Sequence, residues 1–129
     1  MVLLDCETTG GNAVHHRIIE IGLLVIENGE LIETWQSFID PRVALPPFIQ
    51  KLTGISPGMV RGAPEFSEIA EELLAKLEGR TLVAHNARFD YGFLKNEFER
   101  VGISYNAKPL CSVKFSRNLY PQFKRHGLS

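Results

Sequence analysis

The stretch that decides the fold is residues 17–39, RIIEIGLLVIENGELIETWQSFI. Residues 17–27 are rich in β-branched and apolar side chains, a composition that favours a strand. Asn28-Gly29 follows, and this dipeptide is typical of a two-residue hairpin turn. Residues 30–39 then alternate along their length, which indicates a further strand that pairs back on the first. The stretch therefore predicts an antiparallel hairpin.

Outward towards the N-terminus, residues 2–4 are Val-Leu-Leu, which predicts a short buried strand that runs into Asp5-Cys6-Glu7. Residues 8–12, Thr-Thr-Gly-Gly-Asn, then interrupt it with turn-forming residues. We expect three strands in the first 39 residues.

Downstream, residues 40–64 contain five of the seven prolines and predict an irregular segment with a short helix near 47–52. Apolar residues at helical spacing predict a helix over 65–78 that Gly79 ends. The later elements are a strand at 81–84, a helix of about 87–101 capped by Asn86 and ended by Gly102, a strand at 109–111 and a short helix reaching Tyr120. This order predicts an α/β domain with helices on a mixed sheet.

The composition bounds the class of protein. A chain of 129 residues with 44% hydrophobic residues predicts a single globular domain spanning residues 1–129. No apolar run reaches the length of a membrane span and no leader pattern opens the chain, so no membrane partner is expected. Two cysteines are too few for a disulfide scaffold, which favours a cytoplasmic setting.

The charges are distributed unevenly. All 15 acidic residues lie in residues 1–99, whereas residues 100–129 contain six basic residues and no acidic one. A basic tail of this kind is compatible with a polyanionic partner. It is equally compatible with ion pairs inside the protein, in which Lys108 and Lys114 would pair with Glu97 or Glu99.

Asp5 and Glu7 are the first candidate site residues. Residues i and i+2 of a strand point the same way, so both carboxylates are predicted on one face at the strand end. Two close carboxylates repel each other unless a cation or a proton lies between them, and oxygen ligands of this kind suit Mg²⁺ or Mn²⁺. A solvated strand end is the alternative for an arbitrary Asp-x-Glu.

Asp90 is the third candidate. It lies in the first turn of the predicted helix, where an acidic side chain is favoured by the helix dipole without any further role. Strand ends and helix N-termini also converge at one rim of a sheet. Three carboxylates there can hold two metal ions for in-line phosphoryl displacement.

These segments resemble a known family. LLDCETTG at 3–10 looks like the first motif of the DEDD 3′–5′ exonucleases, and RIIEIG at 17–22 and AHNARFDYGFL at 84–94 resemble its next segments. LTGIS at 52–56 resembles a further loop of the family, with Thr53 where a histidine is often found. The resemblance covers nearly the whole chain, in the right order. It is greatest to the DEDDh branch, typified by the epsilon proofreading subunit of bacterial DNA polymerase III.

The resemblance implies a ribonuclease-H-like fold, in which a mixed sheet of three antiparallel strands followed by parallel additions is flanked by helices. It implies Asp5, Glu7 and Asp90 as catalytic ligands of two divalent cations, Mg²⁺ or Mn²⁺. It further implies Mg²⁺-dependent removal of nucleoside 5′-monophosphates from the single-stranded 3′ end of DNA, in proofreading or repair.

The resemblance also implies substrate contacts. Thr8, Thr9 and Gly10 would receive the terminal nucleotide through backbone and hydroxyl groups, and Leu52 would pack on its base. Phe89 would act as a wedge near the last base step, with core packing as the equal alternative.

The family has two further residues, a general-base histidine and a fourth aspartate five positions after it. Only 39 residues follow Asp90, and His126 has no residue five positions later. Residues 126–129 match better the opening of the helix before the third motif. We therefore expect the domain to be incomplete at its C-terminus and the 129 residues alone to have little activity.

Two alternatives stay open. One is an RNA 3′–5′ exonuclease, and the other is a non-catalytic nucleic-acid-binding module with the same fold. His15 and His16 lie in the loop after Gly10, where a solvated loop is the simpler interpretation and contact with phosphate or metal the other. A polymerase subunit, or a fused nuclease or helicase domain, is a possible partner.

Overall fold

The computed structural model describes residues 1–84, 87–107 and 109–111, with side chains described for residues 1–84 and 89–107. In this part of the chain, five strands form one sheet and four helices accompany them. In chain order the elements are β1 Val2–Thr8, β2 Ile18–Glu27, β3 Glu30–Phe38, α1 Pro47–Thr53, α2 Pro57–Val60, α3 Phe66–Leu77, β4 Leu82–Ala84, α4 Ala87–Arg100 and β5 Pro109–Cys111.

The predicted hairpin is confirmed. β2 and β3 pair antiparallel, and Asn28 and Gly29 both adopt positive φ, at 52° and 78°. These angles define the turn whose twist matches that of two paired strands, which is why Asn-Gly occupies it. β1 pairs antiparallel with the other side of β2, which confirms the three antiparallel strands that the family resemblance implies.

The sheet is mixed, as predicted. The strand order is β3-β2-β1-β4-β5, and β4 and β5 are added in parallel orientation beside β1. A parallel neighbour requires a crossover connection, and helix α3 provides it between β3 and β4. Because β1 and β4 run parallel, they end at the same edge of the sheet. The start of α4 follows the end of β4 and lies at this edge.

The two faces of the sheet carry different cores. Val2, Leu4 and Cys6 of β1 lie in the larger core, with α3 and α4 packed on it. There the rings of Phe66 and Phe98 meet edge to face with their centroids 5.0 Å apart. Leu3, the alternate residue, packs with buried residues on the opposite face. Strand alternation assigns Asp5 and Glu7 to the face of Leu3.

The segment 40–64 is more ordered than the sequence predicted. The short helix expected near 47–52 is confirmed as α1, but α2 was missed because Pro57-Gly58 has the composition of a turn. Proline is well tolerated in the first turn of a helix, because the backbone N–H groups there make no hydrogen bond within the helix and the missing N–H of proline costs nothing. Val60 of α2 packs with Ile49 of α1 under Ile19 of β2.

Several sequence predictions fall outside the described residues: the Asn86 cap, the helix reaching Tyr120, the ion pairs of Lys108 and Lys114, and the interpretation of His126. In the ranges that the structure does describe, every helix is too short and too polar to cross a membrane.

Candidate active site

β1 positions the first two candidate carboxylates. Asp5 lies opposite Gly22 of β2, and Glu7 lies opposite Glu20, and all three acidic side chains are half-buried. Burial raises the pKa of the Glu20 carboxyl, a hydrogen bond from Gln36 opposes this, and the charge of Glu7 raises it further. The acidic character of this sheet face therefore extends from β1 onto β2.

Asp90 reaches β1 from helix α4. It lies in the first turn of α4 and is only 4% exposed. The Cys6 thiol donates a hydrogen bond to its Oδ1 atom, with Sγ and Oδ1 3.1 Å apart. Cys6 is itself buried, and this contact joins the start of α4 to the middle of β1.

The three carboxylates interact electrostatically. Burial raises the pKa of Asp90 to about 7, the thiol hydrogen bond partly opposes the shift, and the charges of Asp5 and Glu7 add to it. The pKa of the Cys6 thiol is raised well above its ordinary value, mainly by burial. Cys6 therefore stays protonated at neutral pH and acts as a hydrogen-bond donor.

The chemistry of this donor set fits a hard divalent cation. Carboxylate oxygens are preferred ligands of Mg²⁺ and Mn²⁺, and a cation relieves the repulsion that raises the pKa of Asp90. Within residues 1–84 and 89–107, no three His, Cys, Asp or Glu side chains are close enough to enclose a metal ion. Among these described side chains, the carboxylates interact electrostatically but do not lie close enough together to surround an ion.

Replacing Asp90 with asparagine is expected to stabilise the metal-free protein at pH 8 by up to roughly 4 kcal/mol, the free energy that corresponds to raising the pKa of this carboxyl from its ordinary value to about 7. The raised pKa means that the folded state binds the carboxyl proton more tightly than the unfolded state does. The contribution of the protonated Asp90 carboxyl to the stability of the parent protein is therefore complete below about pH 4 and is lost as the pH rises through about 7. Asparagine does not ionise and escapes the loss. Urea denaturation with EDTA at pH 8 and pH 4 measures the effect, which should nearly vanish at pH 4. An equal effect at both pH values would contradict the electrostatic origin.

The loop that follows β1 is closed by its own hydrogen bonds. The Thr8 hydroxyl donates to the carbonyl oxygen of Gly10 at 2.7 Å. The Thr9 hydroxyl accepts the amide of Arg17 at 2.9 Å, and the Thr9 amide donates to the Arg17 carbonyl at 2.8 Å. The hydroxyls predicted to receive a nucleotide therefore have partners within the loop, and their contact with substrate stays a prediction.

His16 covers the backbone of this loop. Its Nδ1 atom accepts the amide of Asn12 at 3.0 Å, while the Asn12 side-chain oxygen accepts the amides of Val14 and His15. The imidazole lies so near Gly10 that a Cβ atom there would be 2.6 Å from Cε1 of the ring. The close approach of the His16 ring to the backbone explains why residue 10 is a glycine. The neighbouring His15 is exposed.

A Gly10→Ala substitution is expected to destabilise the protein by about 1 kcal/mol, because the new methyl group overlaps the His16 ring and must displace it. Gly11→Ala is the matched control, since a Cβ atom at Gly11 meets nothing within 4 Å. Thermal unfolding of both variants measures the difference. Adding His16→Ala should remove most of the Gly10→Ala loss, and an unrelieved loss would point to another cause.

A buried ion pair, which the sequence analysis did not predict, ties the loop to α4. Glu97 is 2% exposed, its Oε2 atom accepts the amide of Ile18, and its Oε1 atom accepts Arg100 Nη1 at 2.7 Å. Arg17 lies 3.6 Å from the same carboxylate. The signal was available, because Glu97 interrupts the apolar face formed by Phe93, Leu94 and Phe98.

Arg100 extends this contact to the loop backbone. Its Nη2 atom donates to the carbonyl oxygens of Ala13 and Val14, both at 2.9 Å. Among the described side chains Glu97 therefore pairs with Arg17, which precedes β2, and with Arg100 of α4. The predicted pairs with Lys108 and Lys114 stay predictions, since both lysines lie outside the described side chains.

The two apolar candidates have different surroundings. Leu52 in α1 is 78% exposed, a surface on which a ligand can pack. Phe89 is half-buried and packs against the larger core, and its ring is tilted by 45° to that of Phe93 with the centroids 4.8 Å apart. The core alternative for Phe89 has direct contacts, and the wedge alternative stays a prediction.

The sequence matches known proteins along nearly its full length. Residues 2–129 match the exonuclease family. The chain is 41% identical over 128 residues to a PolC-type DNA polymerase III from Streptococcus thermophilus and 40% identical over 129 residues to one from Halalkalibacterium halodurans. These matches cover 98% and 99% of this chain but only 9% of each relative.

Solved structures share the fold. Exonuclease I in its apo form superimposes with a TM-score of 0.77 at 18% identity, covering 92% of this chain and 30% of that one. The metal-free complex of Escherichia coli exonuclease I with single-stranded DNA gives a TM-score of 0.78 at the same identity, covering 92% and 29%. At this identity the likeness supports the mixed-sheet, ribonuclease-H-like architecture expected from the sequence.

Proposed function

This chain belongs to the exonuclease family, and from that premise we propose that it is the core of a metal-dependent 3′–5′ DNA exonuclease that releases nucleoside 5′-monophosphates. The observation that carries the proposal is the buried Asp90 carboxylate, which lies 3.1 Å from the thiol of Cys6 on β1, the strand that also carries Asp5 and Glu7. A fold gains no stability from gathering three like charges, so a cationic ligand is the simplest reason for the arrangement.

We assign to Asp5, Glu7 and Asp90 the binding of two divalent cations, Mg²⁺ or Mn²⁺. When bound, such ions supply an activated water and stabilise the charge that develops on the leaving 3′ oxygen. The protein's own part is to hold the carboxylates at fixed positions. β1 sets the spacing of Asp5 and Glu7, and the buried first turn of α4 fixes Asp90.

We propose that the 3′-terminal nucleotide lies along the loop after β1 and the exposed side of α1. The closed loop presents the backbone at Thr8, Thr9 and Gly10 in a fixed conformation, which lowers the entropy cost of binding. Exposed Leu52 offers an apolar surface for the base, and Phe89 at the start of α4 borders the last base step.

The relatives suggest the setting of the reaction. Several of them are named DNA polymerase III PolC-type. We propose by analogy that this domain acts in proofreading beside a polymerase and takes the single-stranded 3′ end of DNA as its substrate. An attached or associated polymerase is the partner that this setting requires.

The test is degradation of a 3′-end-labelled single-stranded DNA oligomer and of an RNA oligomer of the same sequence. Since the family resemblance expects a general-base histidine and a fourth aspartate after Asp90, the assay uses the native gene product that contains residues 1–129. We expect release of labelled nucleoside monophosphate from DNA with Mg²⁺ and none with EDTA. Faster release from RNA would assign the RNA alternative, and binding without release would assign the non-catalytic module.

A further inference from the structure

We propose that Cys6 is a positioning residue that orients the Asp90 carboxylate for cation binding through its thiol hydrogen bond. The proposal rests on the proposed function. It concerns a residue that the sequence analysis left without a role, because Cys6 points away from Asp5 and Glu7 along β1.

The contact is long-range and buried. Cys6 and Asp90 are 84 residues apart in sequence, and Sγ lies 3.1 Å from Oδ1. Cys6 is 7% exposed and Asp90 is 4% exposed, so water has little access to either group. A carboxylate that is shielded from water needs hydrogen-bond donors from the protein, and the thiol is one.

The thiol donates to Oδ1, and this bond would hold the carboxylate in one orientation when a cation binds. Cys6 is held on the core face of β1 beside Leu4, and this packing limits its rotation. The hydrogen bond therefore limits the movement of Asp90 on α4, because it joins the carboxylate to a side chain of the central strand. Partners of this kind, which hold a ligand side chain, typically change metal affinity by 10- to 100-fold when removed.

A packing role is the alternative, and two substitutions separate it from donation. Cys6→Ala removes the donor and leaves a small cavity, whereas Cys6→Ser keeps a donor but buries a more polar group. If Cys6 only fills space, alanine should be tolerated at least as well as serine. If Cys6 orients Asp90, serine should preserve cation binding even where it lowers the melting temperature.

The experiment measures Mn²⁺ binding by electron paramagnetic resonance of the free ion, together with kcat and KM, on the native gene product. We expect Cys6→Ala to weaken Mn²⁺ binding about tenfold and to lower kcat more than it raises KM. We expect Cys6→Ser to stay within about threefold of the parent in both respects. Melting temperatures measured alongside show whether binding follows stability.

The outcomes separate this proposal from the proposed function. A parent protein that neither binds Mn²⁺ nor degrades DNA would overturn the function. An active parent whose Cys6→Ala variant binds Mn²⁺ equally well or more tightly would overturn the role of Cys6 alone. Equal loss in the alanine and serine variants, in proportion to their melting temperatures, would assign packing instead.

Discussion

Replacing Asp5 with alanine should lower the rate of Mg²⁺-dependent 3′–5′ degradation by about a thousandfold or more, because ligands that act as a unit lose most of the rate together. Asp5 is one of three carboxylates whose charges converge on the start of α4. Without it, Glu7 and Asp90 are left to hold the cations alone. The measurement is single-turnover release of the 3′-terminal nucleotide at saturating Mg²⁺.

Glu71→Ala is the matched control for this variant, since it removes one carboxylate from the exposed side of α3. It should leave the rate unchanged. Melting temperatures measured in EDTA show whether the Asp5→Ala protein is folded. A well-folded Asp5→Ala variant that keeps more than about a tenth of the parent rate would rule out the assigned role.

Replacing Glu97 with alanine should cost about 3 kcal/mol of unfolding free energy, the order expected when one partner of a buried ion pair is removed. Glu97 accepts the amide of Ile18 and the guanidinium of Arg100, and both donors would lose their acceptor. A cavity in the core face of α4 adds to the cost. Urea denaturation followed by circular dichroism measures the change.

Two further variants identify the cause of the stability loss in Glu97→Ala. Glu99→Ala removes an exposed carboxylate from the same helix and should change stability by less than about 0.5 kcal/mol. Glu97→Gln keeps an acceptor for Ile18 while removing the charge, so its loss should lie between those of the two alanine variants. A Glu97→Ala protein as stable as Glu99→Ala would show that the buried pair contributes nothing.

The elements of the fold were largely predictable because their signals are local. Strand composition and the Asn28-Gly29 turn predicted the hairpin, and apolar periodicity predicted α3 and α4. The helix α2 was missed because four residues are too few to show a period, and Pro57-Gly58 is ordinarily a turn sequence. Its formation depends on burying Val60 against α1, a contact that the local sequence does not reveal.

The candidate site divides in the same way. Asp5, Glu7 and Asp90 were identified as candidates by motif, since the spacing of two carboxylates along β1 and one in the first turn of α4 can be read from the sequence. The long-range contacts of Cys6 with Asp90 and of Glu97 with Ile18 were not predicted. The partners of Cys6 and Glu97 lie 84 and 79 residues away in the chain, at distances where no periodicity applies.

The sequence by itself thus determined the kind of sheet, the order of its elements and the three candidate carboxylates. Only the tertiary structure decided that Asp90 meets the thiol of Cys6, and that Glu97 and Arg100 fasten the loop after β1 to α4. The physical reason is range. Backbone propensity and side-chain period act over a few neighbouring residues, whereas a buried hydrogen bond depends on which distant groups the packed core brings within about 3 Å.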